Sequence, residues 1–363
     1  MGEKEIRMTR RSFVKGIAGA GAVMAISGID TEKTLALSID KEASDGGLTD
    51  TDGNEKYRVT DDMGRTVELP STINKIVPSG KYAEAVLMTL CPDKLASITE
   101  PIEDGEEKQF DEAGLSEISE LAETGEMYPA EAREDSRNFD IRKVDEVKPD
   151  MILDIGTKKG DLKSTLEYTQ VKSDTPVIFL DGTFGKLPEI YRKLGAITGC
   201  RKRAEELASF IENVKEIVTL KRNNVKEKVK VYYAGNNDLD SSAYPFQNEA
   251  IKAVGAEPAV DMNNQKMDAD FIILNDSTCL DEFSEENTVF QGKYIVSPAL
   301  FHNWLGFSMF AQVIGMVWMG YIFYPQLYSS VVIEIIPQFY KLFYSYNLND
   351  DDLISIIFGE NDK

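Results

Sequence analysis

The sequence predicts an α/β protein of two lobes joined by one long helix, and three features carry that reading. Short apolar runs ending in Gly, Asn, Ser or Pro recur along the chain, with helical stretches between them. They fall into two groups, one before residue 185 and one after residue 228. The block between the groups has helical periodicity.

The first group is Lys75-Ile76-Val77-Pro78-Ser79-Gly80, Met151-Ile152-Leu153-Asp154-Ile155-Gly156 and Val177-Ile178-Phe179-Leu180-Asp181-Gly182. The second is Val229-Lys230-Val231-Tyr232-Tyr233-Ala234-Gly235, Phe271-Ile272-Ile273-Leu274-Asn275 and Tyr294-Ile295-Val296-Ser297-Pro298. Strands alternating with helices imply parallel, Rossmann-like sheets, and ligands of such sheets gather beyond the strands' carboxyl ends. In the middle block, Leu207, Phe210, Ile211, Val214, Ile217, Val218 and Leu220 recur at helical spacing. About 24 residues of helix span roughly 36 Å, enough to bridge two lobes. A single doubly wound domain is the alternative.

From Tyr294 to Ile333 there is no Asp, Glu, Lys or Arg. Inside this stretch, residues 306–324 are long enough to span a bilayer. The stretch also holds Ser308, Gln312 and several Gly, and no basic flank follows it. A buried helix docked on the second lobe is therefore the expectation, a membrane helix the alternative, and Pro325 should end it.

Composition narrows the function. The 363 residues carry 40 Lys and Arg against 62 Asp and Glu, a net charge of −22. That balance argues against nucleic acid or an anionic membrane surface as the main partner. The chain has one histidine, His302, so metal sites built from several histidines are excluded. Cys91, Cys200 and Cys279 are far apart and form no CxxC. At most one disulfide can form, and three separate buried thiols are expected.

Near the start, Thr9-Arg10-Arg11-Ser12-Phe13-Val14-Lys15 precedes a Gly-rich stretch with no charged residue from Gly16 to Ile29. This pattern resembles the twin-arginine export signal. The glycines Gly16, Gly19 and Gly21 do not form a dinucleotide loop, since no strand precedes them. Cleavage after Ala36 is expected, and residues 37–56 read as a flexible acidic tether. The remaining boundaries are a first lobe over 57–185, linking helices over 186–228 and a second lobe over 229–363.

The order of pieces in the rest of the chain is recognisable. Val59-Thr60-Asp61-Asp62-Met63-Gly64-Arg65-Thr66-Val67-Glu68-Leu69-Pro70, followed by Lys75-Ile76-Val77, resembles the opening hairpin and first strand of the class III periplasmic substrate-binding proteins. Val147-Lys148-Pro149-Asp150-Met151-Ile152-Leu153 looks like that family's Leu-x-Pro-Asp strand entry. Asn248-Glu249-Ala250-Ile251-Lys252-Ala253-Val254-Gly255-Ala256 looks like its second-lobe helix. The tail from Gly292-Lys293-Tyr294 through Trp304, Trp318, Tyr324-Pro325 and Phe343-Tyr344 matches a subgroup pattern, so the resemblance covers roughly 57–358.

The resemblance implies a periplasmic or cell-surface receptor, monomeric and non-catalytic, serving the permease dimer of an ABC importer. The linking helix would be rigid. The ligand would be an iron–siderophore, haem, a corrinoid or a nickel chelate, held between the lobes, with no resident cofactor. A molybdate or tungstate receptor of the same fold is the alternative. An exported enzyme and a membrane-anchored interaction protein are weaker readings, because no nucleophile elbow, P-loop or metal-ligand set is present. Family members commonly dock through an exposed Glu on each lobe. Glu249 fits the second; near the first stands Arg142, with Asp140 and Asp145 beside it, and Asp140 is the candidate.

Strand-end positions supply the candidate ligand residues. Tyr82, Tyr128, Phe301 and Trp304 would pack against a ring-bearing ligand, or else belong to the core. Lys81 and Lys158 would meet a carboxylate or oxyanion, or else be solvated. Thr157 and Thr183 follow two first-lobe strands. Asn236 and Asn237 would hydrogen-bond a ligand, or else form a plain turn. His302 would ligate or donate to a metal complex, or else pack against aromatics. The acidic runs at Glu103–Glu107 and Glu117–Glu126 read as solvated faces, since they lack calcium-loop spacing. The segment Phe307-Ser308-Met309-Phe310 stands where a Pro-rich one is expected.

Overall fold

A computed structural model describes residues 48–49, 55–102, 106–127, 139–158, 160–235, 245–259, 269–275, 293–306 and 311–358. The export motif, its cleavage site, most of the tether, Tyr128, Asn236, Asn237, Cys279 and the 307–310 segment lie outside the described residues. The chain forms two compact units, the first reaching Ile211 and the second starting at Glu212.

The first unit opens with an antiparallel sheet of β1 (Leu48–Thr49), β2 (Glu55–Thr60) and β3 (Thr66–Pro70), in that order. Its tight turn passes through Gly64 at φ +74°, a conformation open to glycine. Next come β4 (Ile76–Pro78), helix α1 (Lys81–Leu90), β5 (Ser97–Ile98), α2 (Glu107–Glu112) and β6 (Ala122–Glu123). Then follow α3 (Ile141–Val147), β7 (Met151–Gly156), α4 (Leu162–Ser173), β8 (Val177–Asp181) and α5 (Leu187–Thr198). Asp140 caps α3 by accepting from the Arg142 N–H at 3.0 Å, and Lys148 at φ 52° ends it before Pro149.

The central sheet is parallel, ordered β4-β7-β8. Its strands are buried nearly throughout, as sheets covered on both faces are. On one face Val77, Ile152, Val177 and Phe179 pack with Val144, Leu162 and Leu166 of α3 and α4. Burying each such side chain stabilises the fold by roughly 1.5–3 kcal/mol.

The outer side of β8 is satisfied by a turn. The N–H of Asp62 donates to the Phe179 carbonyl at 3.1 Å. In return, Asp61 accepts from the Phe179 N–H at 3.3 Å and Asp62 from the Asp181 N–H at 2.8 Å. Arg65 donates to the Val177 carbonyl and forms a buried ion pair with Asp61, both at 2.6 Å. Lys193 of α5 holds the Asp62 carboxylate.

Helix α6 (Arg201–Arg222) follows α5 after Gly199, which takes φ +80°. The expected long helix is thus present, and the boundary between the units falls inside it. The first unit extends beyond the expected boundary at 185, because α5 packs on α1 through a 2.6 Å bond between Thr89 and Tyr191.

In the second unit, β9 (Lys230–Ala234), α7 (Pro245–Ala253), β10 (Glu257–Pro258), β11 (Phe271–Leu274) and β12 (Lys293–Val296) build a parallel sheet ordered β10-β9-β11-β12. A hairpin of β13 (Ala299–Leu300) and β14 (His302–Asn303) precedes α8 (Gln312–Phe323), α9 (Pro325–Tyr344) and α10 (Asp350–Phe358). Every residue of α8 but Ile322 is buried. The helix within the charge-free stretch is therefore interior, and Pro325 ends α8 by starting α9. Among the described residues no helix is long and apolar enough to cross a membrane.

Two glycines let α8 lie this deep. A Cβ at Gly315 would stand 2.6 Å from the Trp304 carbonyl, and one at Gly320 would stand 2.4 Å from the ring of fully buried Tyr328. Helix propensity alone would favour Gly320→Ala by about 0.5–1 kcal/mol. A buried ring cannot yield, so overpacking wins, at about 1–3 kcal/mol. Gly320→Ala is expected to lower the urea midpoint of unfolding; an unchanged or higher midpoint would show that Tyr328 has room to move.

Candidate functional site

The carboxyl edge of the first unit's sheet gathers the loops that follow β4, β7 and β8. The Ser79 N–H extends the ladder to the Leu153 carbonyl at 2.9 Å, and the Gly182 N–H bonds the Gly156 carbonyl at 2.7 Å. A Cβ on Gly182 would lie 2.9 Å from the Tyr82 ring and 3.1 Å from the Gly156 nitrogen. The Tyr82 ring therefore lies against the ends of β7 and β8, over a position where only glycine fits. Burial, with the charge of Asp181, pushes the phenol well above its usual range.

Lys81 opens α1 at the same edge. Its ammonium pairs with Glu100 at 2.6 Å, both side chains half exposed. Its N–H donates at 3.0 Å to Glu126, whose carboxylate supplies the cap that Gly80 cannot. Glu84, one turn into α1, accepts from the N–H and hydroxyl of Thr99, each at 2.6 Å. Burial raises the carboxyls of Glu84 and Glu126, against the pull of Lys81. At the start of α1, one lysine thus stands among three carboxylates.

Thr157 is partly buried after β7. Thr183 is exposed, but its N–H and hydroxyl both donate to Asp181. Burial pushes Asp181 up; the Thr183 bonds and the charges of Lys158 and Lys186 outweigh it, leaving this carboxyl below its usual range. Lys81, Tyr82, Thr157, Lys158 and Thr183 thus share one strand-end edge.

Beneath that edge sits a charge the sequence reading did not single out. Asp154, in the middle of buried β7, accepts from the Ser79 hydroxyl and is 5% exposed. Burial raises its pKa to about 6, against the Ser79 bond and the charge of Arg65. An Asp inside an apolar strand was the available signal, since buried polar groups are the informative ones.

In the second unit, Asn303 ties its hairpin to the strand ends. Its carboxamide accepts from Ser297 at 2.8 Å and from the Leu305 N–H at 2.9 Å, and donates to the Asn275 carbonyl. The Asn275 side chain in turn accepts from Tyr233 at 2.9 Å. At the hairpin tip, Phe301 takes φ 61° and stacks on Tyr344, with centroids 4.3 Å apart. Trp304 is fully buried and donates to the Tyr340 hydroxyl at 2.7 Å. Both rings serve the core, which removes them as ligand-facing surfaces. His302 is partly buried, its ring 6.3 Å from that of Tyr344.

Of the docking candidates, Glu249 is exposed on α7 and paired with Lys252 at 2.9 Å. Asp140 is engaged by its own neighbour, since the Arg142 guanidinium bonds both of its oxygens at 3.2 Å. Glu117, Glu120 and Glu123 are exposed as expected, whereas Glu126 is partly buried and serves as the helix cap. Cys91 is buried as expected and Cys200 is only partly buried, and both are free thiols. Among the described residues no three His, Cys, Asp or Glu side chains converge as metal ligands.

No protein-family model matches the chain, and no curated protein matches it. Solved structures do resemble it. An ABC transporter solute-binding protein from Sulfurospirillum deleyianum superposes with a TM-score of 0.68 at 19% identity, over 82% of this chain and 98% of that one. The molybdate-bound periplasmic binding protein MolA from Haemophilus influenzae gives 0.61 at 14% identity, over 80% and 99%. CeuE from Helicobacter pylori, in complex with nickel and histidine, gives 0.54 at 13% identity, over 82% and 98%. At these identities the likeness is one of fold, and it matches the two α/β units found here.

Asp154 sets a pH dependence. Its folded pKa lies above its unfolded one, so the native state binds its proton more tightly. Stability from this group is highest below about pH 4 and falls as pH rises through about 6, by up to about 3 kcal/mol. Asp154→Asn should flatten this part of the stability profile between pH 4 and 7. An unchanged slope in urea titrations would show that Asp154 is not its source.

Proposed function

We propose that the chain is the extracytoplasmic substrate-binding component of an ABC importer. It captures an iron–siderophore or related metal complex (haem, a corrinoid or a nickel chelate) and delivers it to a permease dimer. It acts as a monomer without turnover, reaches the periplasm or cell surface by the twin-arginine route, and has no nucleic-acid partner. The observation that carries this reading is the strand-end edge of the first unit. Gly182 lets the backbone close against the Tyr82 ring there, and Lys81, Thr157, Lys158 and Thr183 stand at the same edge. In the sequence of the second unit, Asn236 and Asn237 follow β9 and His302 follows β12, and these are its candidate ligand residues. Glu249 is the better of the two docking carboxylates, because it is exposed and Lys252 engages one of its oxygens, whereas Arg142 bonds both oxygens of Asp140.

The charge at this edge orders the candidates. Glu84, Glu100 and Glu126 surround Lys81, so an oxyanion drawn to this lysine would meet more negative charge than positive. A neutral or cationic metal complex suits the edge better than molybdate or tungstate, although MolA has the same fold and holds molybdate.

Thermal unfolding against ferric siderophores of different charge, haem, cobalamin, nickel–histidine, molybdate and tungstate tests this. A ligand at about 100 times its Kd adds about 2.7 kcal/mol. That is a rise of roughly 2–4 °C for each kcal/mol at this size. One metal complex is expected to raise the midpoint, and Tyr82→Ala to weaken its binding by about tenfold. A response to molybdate or tungstate alone would replace this reading with the oxyanion one, and no response to any ligand would overturn the receptor reading.

A further inference from the structure

A relay of hydrogen bonds runs from the interior of the first unit to the start of α1. It begins at Asp154, which is 5% exposed within β7 and accepts from the Ser79 hydroxyl. Ser79 continues β4. Its N–H donates to the Leu153 carbonyl at 2.9 Å, and its carbonyl accepts the Met127 N–H at 2.7 Å. Glu126, next to Met127, accepts the Lys81 N–H at 3.0 Å. A buried carboxyl is thus connected, through Ser79, Met127 and Glu126, to the first residue of the helix that carries Tyr82.

Charge reaches Asp154 mainly from the Asp61–Arg65 turn, where Arg65 favours the carboxylate and Asp61 opposes it. Along β8 the residue opposite is Phe179, and Asp181, two residues on, is engaged by Thr183. Helices α3 and α4 present Val144, Leu162 and Leu166 to the sheet and keep their charged side chains exposed. Helix α1 brings the buried Tyr82 phenol and Glu84, which Thr99 holds. The Ser79 bond favours the ionised form of Asp154, so ionisation in turn strengthens that bond. A protonated Asp154 leaves only a neutral hydrogen bond, about half as strong.

We propose that Asp154 is a proton-controlled positioning residue: ionised, it latches Ser79 and so holds the Glu126 loop against α1, and protonated, it slackens that latch. The latch runs opposite to the global effect of the same group. Whole-fold stability from Asp154 grows as pH falls through about 6, whereas the latch weakens over the same range. A ligand held at Lys81 and Tyr82 would favour the latched form, expel the Asp154 proton and be bound less tightly in acid. That last consequence rests on the receptor reading; the latch does not.

Hydrogen exchange of the full chain, resolved to single amides and corrected for intrinsic rates, tests the latch with no ligand present. From about pH 7.5 to about pH 5, protection of the Met127 N–H is expected to fall on the order of tenfold. Asp154→Asn should remove this dependence and leave protection low throughout. Glu126→Gln removes the carboxyl beside the reporter and should leave the fall in place. Ser79→Ala should also abolish the fall, and should carry the decline of the urea midpoint to higher pH, because Asp154 loses the bond that favours its charge. Flat protection in the unaltered chain, or a fall that survives Asp154→Asn, would overturn the proposal. Should Asp154→Asn fail to fold, Ser79→Ala decides: a fall that survives there overturns it equally.

Discussion

The first unit depends on how the outer side of β8 is closed. An outer strand presents unpaired N–H and carbonyl groups, and leaving them exposed invites pairing with another chain. Here the Asp61–Arg65 turn takes the place of a further strand, matching β8 with two backbone carboxylate bonds, one backbone N–H and one guanidinium. The turn is charged, so it satisfies β8 without offering an edge of its own. It also brings Arg65 close enough to act on Asp154, partly offsetting the burial of that carboxyl and the charge of Asp61. Ser79 bonds that carboxylate, and Ser79 begins the loop that leads to Lys81 and Tyr82. A hairpin far from the strand ends in sequence thus determines what lies beneath them.

The sheets were largely legible in the sequence. Each of the six apolar runs is a strand, because a strand buried on both faces reads as a continuous apolar stretch. The long helix was legible too, since its apolar positions repeat over many turns. The pairs β5–β6 and β13–β14 were not, because two-residue strands are too short to carry a period. The closure of β8 could not be read either, since Arg65 and Val177 are joined only by the tertiary fold.

The edge residues were legible in position and less so in role. Topology located Lys81, Tyr82, Thr157 and Thr183. It could not say that Glu100 pairs with Lys81, that Glu126 caps α1, or that Asp181 takes the Thr183 hydroxyl. Phe301 and Trp304 show the same limit from the other side. An aromatic residue after a strand can face a ligand or the core, and only Tyr340 and Tyr344, forty residues further on, decide it.

The depth of α8 has a consequence for how the chain is handled before it is folded. Stretched out, Tyr294–Ile333 is a charge-free segment of the kind that membrane-insertion machinery takes for a spanning helix. Once Gly315 and Gly320 have let α8 settle against Trp304 and Tyr328, that helix is interior and offers little to a bilayer. A translocase that threads extended polypeptide would risk stalling on it and leaving the protein stitched into the membrane. A translocase that accepts only finished cargo never meets it. The same burial that fills the core thus works as concealment, since the apolar length a bilayer would accept is on show only before the chain has folded.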